Sequence, residues 1–398
     1  ASVTVELGLS VCLSVCLLLS ISLLGCLFVT ETIPSTQQAT KNGDTAVIIA
    51  VKRHDPATLR ELVRAESDLN LQNQEGLTPL MIAATSWRTD ITNILLEGEN
   101  INLDIQEKGT GWSALHFSAE TGNSATTVAL LKAGANPRLK DKNGDTAVII
   151  AVKRHDPVTL RELVREGSDL NLQNQEGLTP LMIAARRGMA DITKILLEGE
   201  HIMDIQEKGT GWSALRFSAE RGYSATTEAL LKAGANAHLK DKNGDTAVII
   251  AVKRCHPATL RELVRAGSDL NLQNQEGLTP LMIAARRGMA DITKILLEGE
   301  YINLDIQEKR IGQSALHFSA VIGDAATIEE LLLAGANRHI KDKNGVTATE
   351  ITEQRAQYGL ESETLAMGEM MSQSAMRQLK SESKDIEGDD TSSSCKIL

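Results

Sequence analysis

The stretch TPLMIAARRGMADITKILLEG, Thr179 to Gly199, decides the fold. It opens on a hydroxyl residue and a proline, the pair that starts a helix. An apolar run follows as far as Gly188, and beyond it Ile192, Ile195 and Leu196 recur at helical spacing. Gly199 stands where a left-handed C-cap would fall. The spacing therefore predicts helix, turn, helix, loop.

The same text recurs. TPLMIAA stands at Thr78, Thr179 and Thr279, TAVIIAVKR at Thr45, Thr146 and Thr246, and SALxFSA at Ser113, Ser213 and Ser314. One paragraph of about 100 residues is written three times, and each holds three shorter units of the same layout. Taken alone, AVIIAV reads as a strand, but its register with TPLMIAA makes it a helix. In HDP, Asp156 supplies the N-cap and Pro157 the first helical position of the helix that follows.

This layout resembles the ankyrin repeat family. TPLMIAARRGMADITKILLEG is similar to that family's pattern of Thr-Pro-Leu-His, paired alanines, a glycine between helices and leucines before a closing glycine. SALHFSAETG with ALLKAGAN, Ser113 to Asn136, matches even at His116. The resemblance covers residues 41–360, nine repeats and a partial tenth that begins at Asn344. It implies an all-α solenoid of helix-turn-helix units with hairpin loops, here preceded by an N-terminal hydrophobic helix. The expected divisions are 1–33 hydrophobic segment, 34–40 linker, 41–142, 143–242 and 243–343 repeats, 344–360 partial cap, and 361–398 largely disordered tail. Three departures stand out. Arg216 replaces the family's histidine, Trp87 replaces the glycine between helices, and Cys255 with His256 replaces His155 with Asp156. Trp87 would cost on the order of 1 kcal/mol in a left-handed backbone, and His256 is a weaker cap than Asp156.

Composition narrows the function classes. Apolar residues make up 42% and aromatics only 3%, which suits thin aliphatic layers. The net charge of −11 argues against general affinity for nucleic acid. Of the five cysteines, Cys12, Cys16 and Cys26 lie in one apolar run, and no Asn heads a glycosylation sequon, so a cytoplasmic body is expected. The uncharged run 7–29 is long enough for a membrane helix, with a cleaved signal or a wrongly joined segment as competing readings. The first positive charges lie downstream of it, which places the repeats on the cytoplasmic side. At the other end SSSCKIL resembles a prenylation box at Cys395, although Lys396 breaks the aliphatic pattern.

No catalytic or metal-ligand spacing is present, and the GTG of KGTGW lacks the Lys-Ser/Thr of a phosphate loop. No enzymatic activity and no cofactor are expected. What the ankyrin resemblance implies is a concave binding face built from hairpin tips and inner-helix ends. The residue before each Thr or Ser becomes a contact position: Asp145, Leu178 with its repeat Leu278, and Trp212 with its counterpart Trp112. The residues after the paired small residues add Lys153, Arg154, Arg186 and Arg187, then Lys253, Arg254, Arg286 and Arg287. This cation row would suit an acidic or phosphorylated partner, or else it is a solvated helix end that complements the dipole. The expected function is a protein-interaction scaffold or adaptor, tethered at a membrane. The alternatives are a fragment of a larger membrane protein or enzyme, and a soluble inhibitor.

Overall fold

In the computed structural model, which describes residues 40–199 and 204–357, there are 19 helices and no strand among the described residues. The packing falls into two units, one ending at Glu176 and the other beginning at Gly177. In the first, inner helices α1 (Ala46–Arg53), α3 (Pro79–Thr85), α5 (Ala114–Thr121) and α7 (Ala147–Arg154) lie side by side. Outer helices α2 (Pro56–Arg64), α4 (Thr89–Leu96), α6 (Ser124–Lys132) and α8 (Pro157–Arg165) form the second row. The second unit has inner helices α9 (Pro180–Arg187), α11 (Ala214–Arg221), α13 (Ala247–Lys253), α15 (Pro280–Arg286), α17 (Ala315–Ile322) and α19 (Ala348–Gln357). Its outer row is α10 (Ala190–Leu197), α12 (Ser224–Lys232), α14 (Pro257–Arg265), α16 (Ala290–Leu297) and α18 (Ala325–Leu333). Each unit is thus an all-α solenoid of helix-turn-helix repeats.

AVIIAV is helical, as its register requires. All six residues are buried in α7 and again in α13. Within a unit an inner helix lies against inner neighbours and has its outer partner behind it, so its apolar face is wide. Burying each Ile or Val there contributes roughly 1.5–3 kcal/mol. A Thr or Ser stands before each inner helix and caps several of them: Thr179 accepts the Met182 amide at 3.2 Å and Ser213 the Arg216 amide at 3.3 Å, whereas the hydroxyls of Ser113 and Ser314 engage the rings of His116 and His317. Asp156 caps α8 from its side chain with Pro157 next, as the HDP signature predicts.

The hairpins between repeats form fingers linked by single backbone hydrogen bonds. The Lys142 amide donates to the Thr110 carbonyl at 2.8 Å and the Gln175 amide to Asn143 at 2.9 Å. Gly144 must be glycine. Its φ is +75°, and a Cβ would stand 2.7 Å from the Gln175 amide nitrogen.

Two local expectations are corrected. Helix α10 ends with Glu198 still right-handed, φ −69°, and Gly98 and Gly299, the counterparts of Gly199, have no left-handed backbone either. Their glycine is required by packing, because a Cβ would collide with the Leu69 or Leu270 side chain of the preceding repeat. Trp87 escapes the left-handed strain because Ser86 turns extended, φ −94° and ψ 147°, where its counterpart Arg287 keeps φ −111° and ψ 2°. The strain lies elsewhere: His54, His155 and Cys255 take φ of 55°, 56° and 57° at the turn where other units use glycine. His256 makes no side-chain cap, as its weaker chemistry predicts. Replacing exposed Cys255 by glycine removes left-handed strain, so Cys255→Gly should raise stability by about 0.5–1 kcal/mol in urea unfolding.

Candidate functional site

The base of each TAV finger is organised by the aspartate one residue before the helix cap. Asp44 accepts Lys52 Nζ at 2.8 Å and Asn73 Nδ2 of the next finger at 3.0 Å. Asp145 does the same with Lys153 and Asn174, and Asp245 with Lys253 at 2.6 Å and Asn274 at 2.9 Å. Burial opposes ionisation of Asp44, but its hydrogen bonds from Lys52 and Asn73 outweigh it and hold the carboxyl below the usual range. The contact position Asp145 is therefore buried, 3% exposed, and it engages Lys153 within the chain. The signal was legible as Asp-Thr followed by Lys eight residues after the Asp in all three copies.

The longer fingers use another carboxylate. Glu107 turns back into KGTGW and accepts the amides of Gly109, Thr110 and Gly111 and the Thr110 hydroxyl. Glu207 accepts the Thr210 amide and hydroxyl at 2.6 Å each. The glycine-rich turn thus cradles an anion that the chain itself supplies. Burial works against ionisation of Glu107, Glu207 and Glu308, yet loop hydrogen bonds outweigh it and hold all three carboxyls below their ordinary value.

Trp112 is folded onto its own repeat. Its ring meets Phe117 edge-on at 5.2 Å, and Nε1 donates to Asp141 of the next finger at 3.1 Å. His116 lies beneath. Its Nδ1 accepts the Ser113 amide at 3.2 Å, so Nε2 carries the proton and donates to the Asp145 carbonyl, also at 3.2 Å. Burial lowers the pKa of His116 and favours this neutral form. In the second paragraph Arg216 takes over the bracing. Its guanidinium lies 3.5 Å from the Trp212 ring centre, 3.4 Å from Asp241 Oδ2 and 2.8 Å from Glu220 Oε2.

The cation row separates into groups with different neighbours. Lys153 and Lys253 belong to the aspartates described above. Arg254 reaches Glu220 at 2.6 Å, and Arg154 reaches Glu120 at 3.7 Å. Arg287 donates to the Lys253 carbonyl at 2.6 Å, which caps the end of the preceding inner helix. Arg286 leans toward the finger, 3.7 Å from Glu276. Arg186 is half-buried and Arg187 exposed at the equivalent positions of α9. Leu178 and Leu278 are buried, 3% exposed each. The hydrophobic run 7–29 and Cys395 lie outside the described residues. Among the described residues no helix is long and apolar enough to cross a membrane.

Comparison with known proteins gives the same architecture. The family model described as Ankyrin repeats (3 copies) matches residues 17–107, 149–241, 218–309 and 248–342. The model described as Ankyrin repeat matches 110–142. The first match begins inside the apolar run. The B-cell lymphoma 3 protein homolog of Mus musculus is 32% identical over 158 residues, 39% of this chain and 35% of that protein. Neurogenic locus notch homolog protein 1 of Homo sapiens is 27% identical over 199 residues, 46% of this chain and 8% of that protein. The crystal structure of the ankyrin repeat domain of Bcl-3 superposes with a TM-score of 0.46 at 27% identity, covering 64% of this chain and 99% of that domain. The chain thus spans about a third or less of the length of these two curated relatives.

Two outcomes follow from the bracing groups. Arg216→Ala leaves Asp241 and Glu220 without their buried partner and should cost roughly 3–5 kcal/mol in urea unfolding. Arg216→His, which restores the residue of the sister units, should cost much less. Because the folded-state pKa of Glu107 is depressed, its contribution is present above the unfolded value and is lost as pH falls through the folded one. The unfolding midpoint of Glu107→Gln should therefore lie below that of the parent chain at neutral pH, and the gap should close below about pH 4.

Proposed function

The chain belongs to the ankyrin repeat family, and from that premise we propose that it is a protein-interaction scaffold that captures an acidic partner. One observation carries the reading. The polar groups at the finger bases are satisfied internally by Asp145, Asp245, Glu107 and Glu207, so the fingers are preformed. A preformed surface lowers the ordering cost of binding. The inner-helix ends beside the fingers present arginine, which favours carboxylates through its planar fork of donors.

The structural placements change which residues carry the proposal. Arg186 and Arg286, with Arg187 and Arg287 behind them, are the partner-facing cations. Lys153 and Lys253 hold fingers in place, and Arg154 and Arg254 bridge to Glu120 and Glu220 of the preceding repeat. Trp112 and Trp212 set the shape of the long fingers, and buried Leu178 and Leu278 support the tips. This remains binding without chemistry.

The proposal extends to location. Residues 7–29 would tether the repeats at a membrane with the fingers in the cytoplasm, and a prenyl group on Cys395 would add a second weak anchor. The family match begins at residue 17, inside the run, and weighs toward the competing assignment of a wrongly joined or buried segment. Fractionation of the full chain, of a chain lacking residues 1–33 and of Cys395→Ser decides between them. A second reading makes this chain the ankyrin part of a longer protein, which the 35% and 8% coverage of its relatives supports. A transcript with an extended frame would establish it.

Changing Arg186 and Arg286 together to Glu should reduce partner capture by about tenfold or more and flatten its salt dependence. Quantitative pull-down across a salt series measures both. Undiminished capture with the same salt slope would contradict the proposal.

A further inference from the structure

The third paragraph differs from the first two at one finger. Where they read KGTGW, it reads KRIGQ, so that Arg310 and Ile311 stand for glycine and threonine and Gln313 for tryptophan. In the sister fingers Trp112 and Trp212 lie edge-on against Phe117 and Phe217 at 5.2 and 5.0 Å. Gln313 has no ring to offer Phe318. A groove of about 450 Å³ lies between the finger 275–278 and the finger 308–311, with Arg310, Ile311 and Phe318 in its lining.

Its lining joins two chemistries. Leu278, Ile311 and Phe318 are apolar, and Arg286, Lys309 and Arg310 are cationic. The acidic residues in the lining do not balance them. The Glu308 carboxylate is turned into its own loop, where it accepts the amides of Arg310, at 2.7 Å, and Ile311. Glu276 alone faces Arg286, at 3.7 Å with 61% of its side chain exposed, a geometry that contributes little. Lys309 and Arg310 are exposed and have no ion-pair partner among the described residues.

We propose that this groove binds an acidic peptide of a partner protein, with carboxylates on Arg286 and Arg310 and one aliphatic or aromatic side chain against Ile311 and Phe318. Charge complementarity selects that occupant, since three cations at the rim meet one available carboxylate. The apolar floor fixes the register of the peptide and separates this site from a cation strip that would attract any polyanion. The inference deepens the scaffold reading and rests on it.

The test is selection from a random peptide library on the immobilised full chain, followed by fluorescence anisotropy of the strongest peptide. Selected peptides should carry several Asp or Glu around one Leu, Ile, Phe or Trp, with Kd on the order of micromolar. Ile311→Thr is the decisive variant, because Ile311 lines the groove and the sister fingers already hold threonine at that position. Ile311→Thr and Arg310→Glu should each weaken the peptide by about tenfold or more, while Trp212→Gln leaves it unchanged. Peptides without the acidic and apolar signature, or binding that survives both variants, overturn the groove and leave the scaffold reading intact. A chain that captures neither peptide nor protein overturns the scaffold reading itself. The chain also contains the acidic stretch DIEGDD at 385–390. If the peptide binds only when Asp385, Glu387, Asp389 and Asp390 are changed to amides, that stretch is the occupant and the partner peptide is not.

Discussion

Asp145 is the residue on which three successive repeats of the first unit converge. Its carboxylate takes Lys153 from its own inner helix and Asn174 from the following finger, and its carbonyl receives His116 from the preceding unit. Its amide donates to Asp141 at 2.8 Å. A buried ion pair is weak support for stability taken alone, because desolvation offsets most of the attraction. Its value here is positional. Each partner comes from a different segment, so satisfying all of them fixes the register of finger on finger. Asp44 and Asp245 repeat the lysine and asparagine contacts in their own settings.

This bracing decides what is left for function. Carboxylates at finger bases and in the long turns are engaged inward, and the lysines with the most regular spacing are engaged with them. Arg154 and Arg254 pair with glutamates of the preceding repeat and Arg287 with a backbone carbonyl, whereas the fingertip cations Lys309 and Arg310 have no ion-pair partner among the described residues. Part of the negative charge is folded into the chain's own loops, which under the scaffold proposal lets a chain with a net charge of −11 offer cations to a partner. Differences between nearly identical paragraphs then become informative. The histidines His116 and His317 and the arginine Arg216 brace equivalent fingers by different chemistry, whereas Arg310 and Ile311 line a groove where the sister fingers have glycine and threonine.

Much of the fold was legible in the sequence, for a simple reason. The repeat supplies several versions of each element, and TPLMIAA settles the helical reading of AVIIAV that the latter's β-branched residues obscure. Caps at Thr179 and Asp156 follow from local chemistry. Gly98 and Gly299 were harder, because a glycine kept for close packing reads the same as one kept for a positive φ. Trp87 was harder still, since one extended residue, Ser86, relieves the strain without any mark in the pattern. The candidate site was legible only as residue types. Spacing places Lys153 and Arg154 together, but it does not reveal that an aspartate eight residues back engages the first while a glutamate of the previous repeat faces the second.

The central claim, that finger-base aspartates withdraw their lysines from the surface and so define the binding face, is tested most directly by amine labelling of the native chain. Acylation rates read residue by residue by mass spectrometry should be several-fold slower at Lys153 and Lys253 than at exposed Lys208 and Lys309. Asp145→Asn and Asp245→Asn should each raise the rate at the paired lysine. Equal rates at all four lysines, or no response to the aspartate substitutions, would contradict the account.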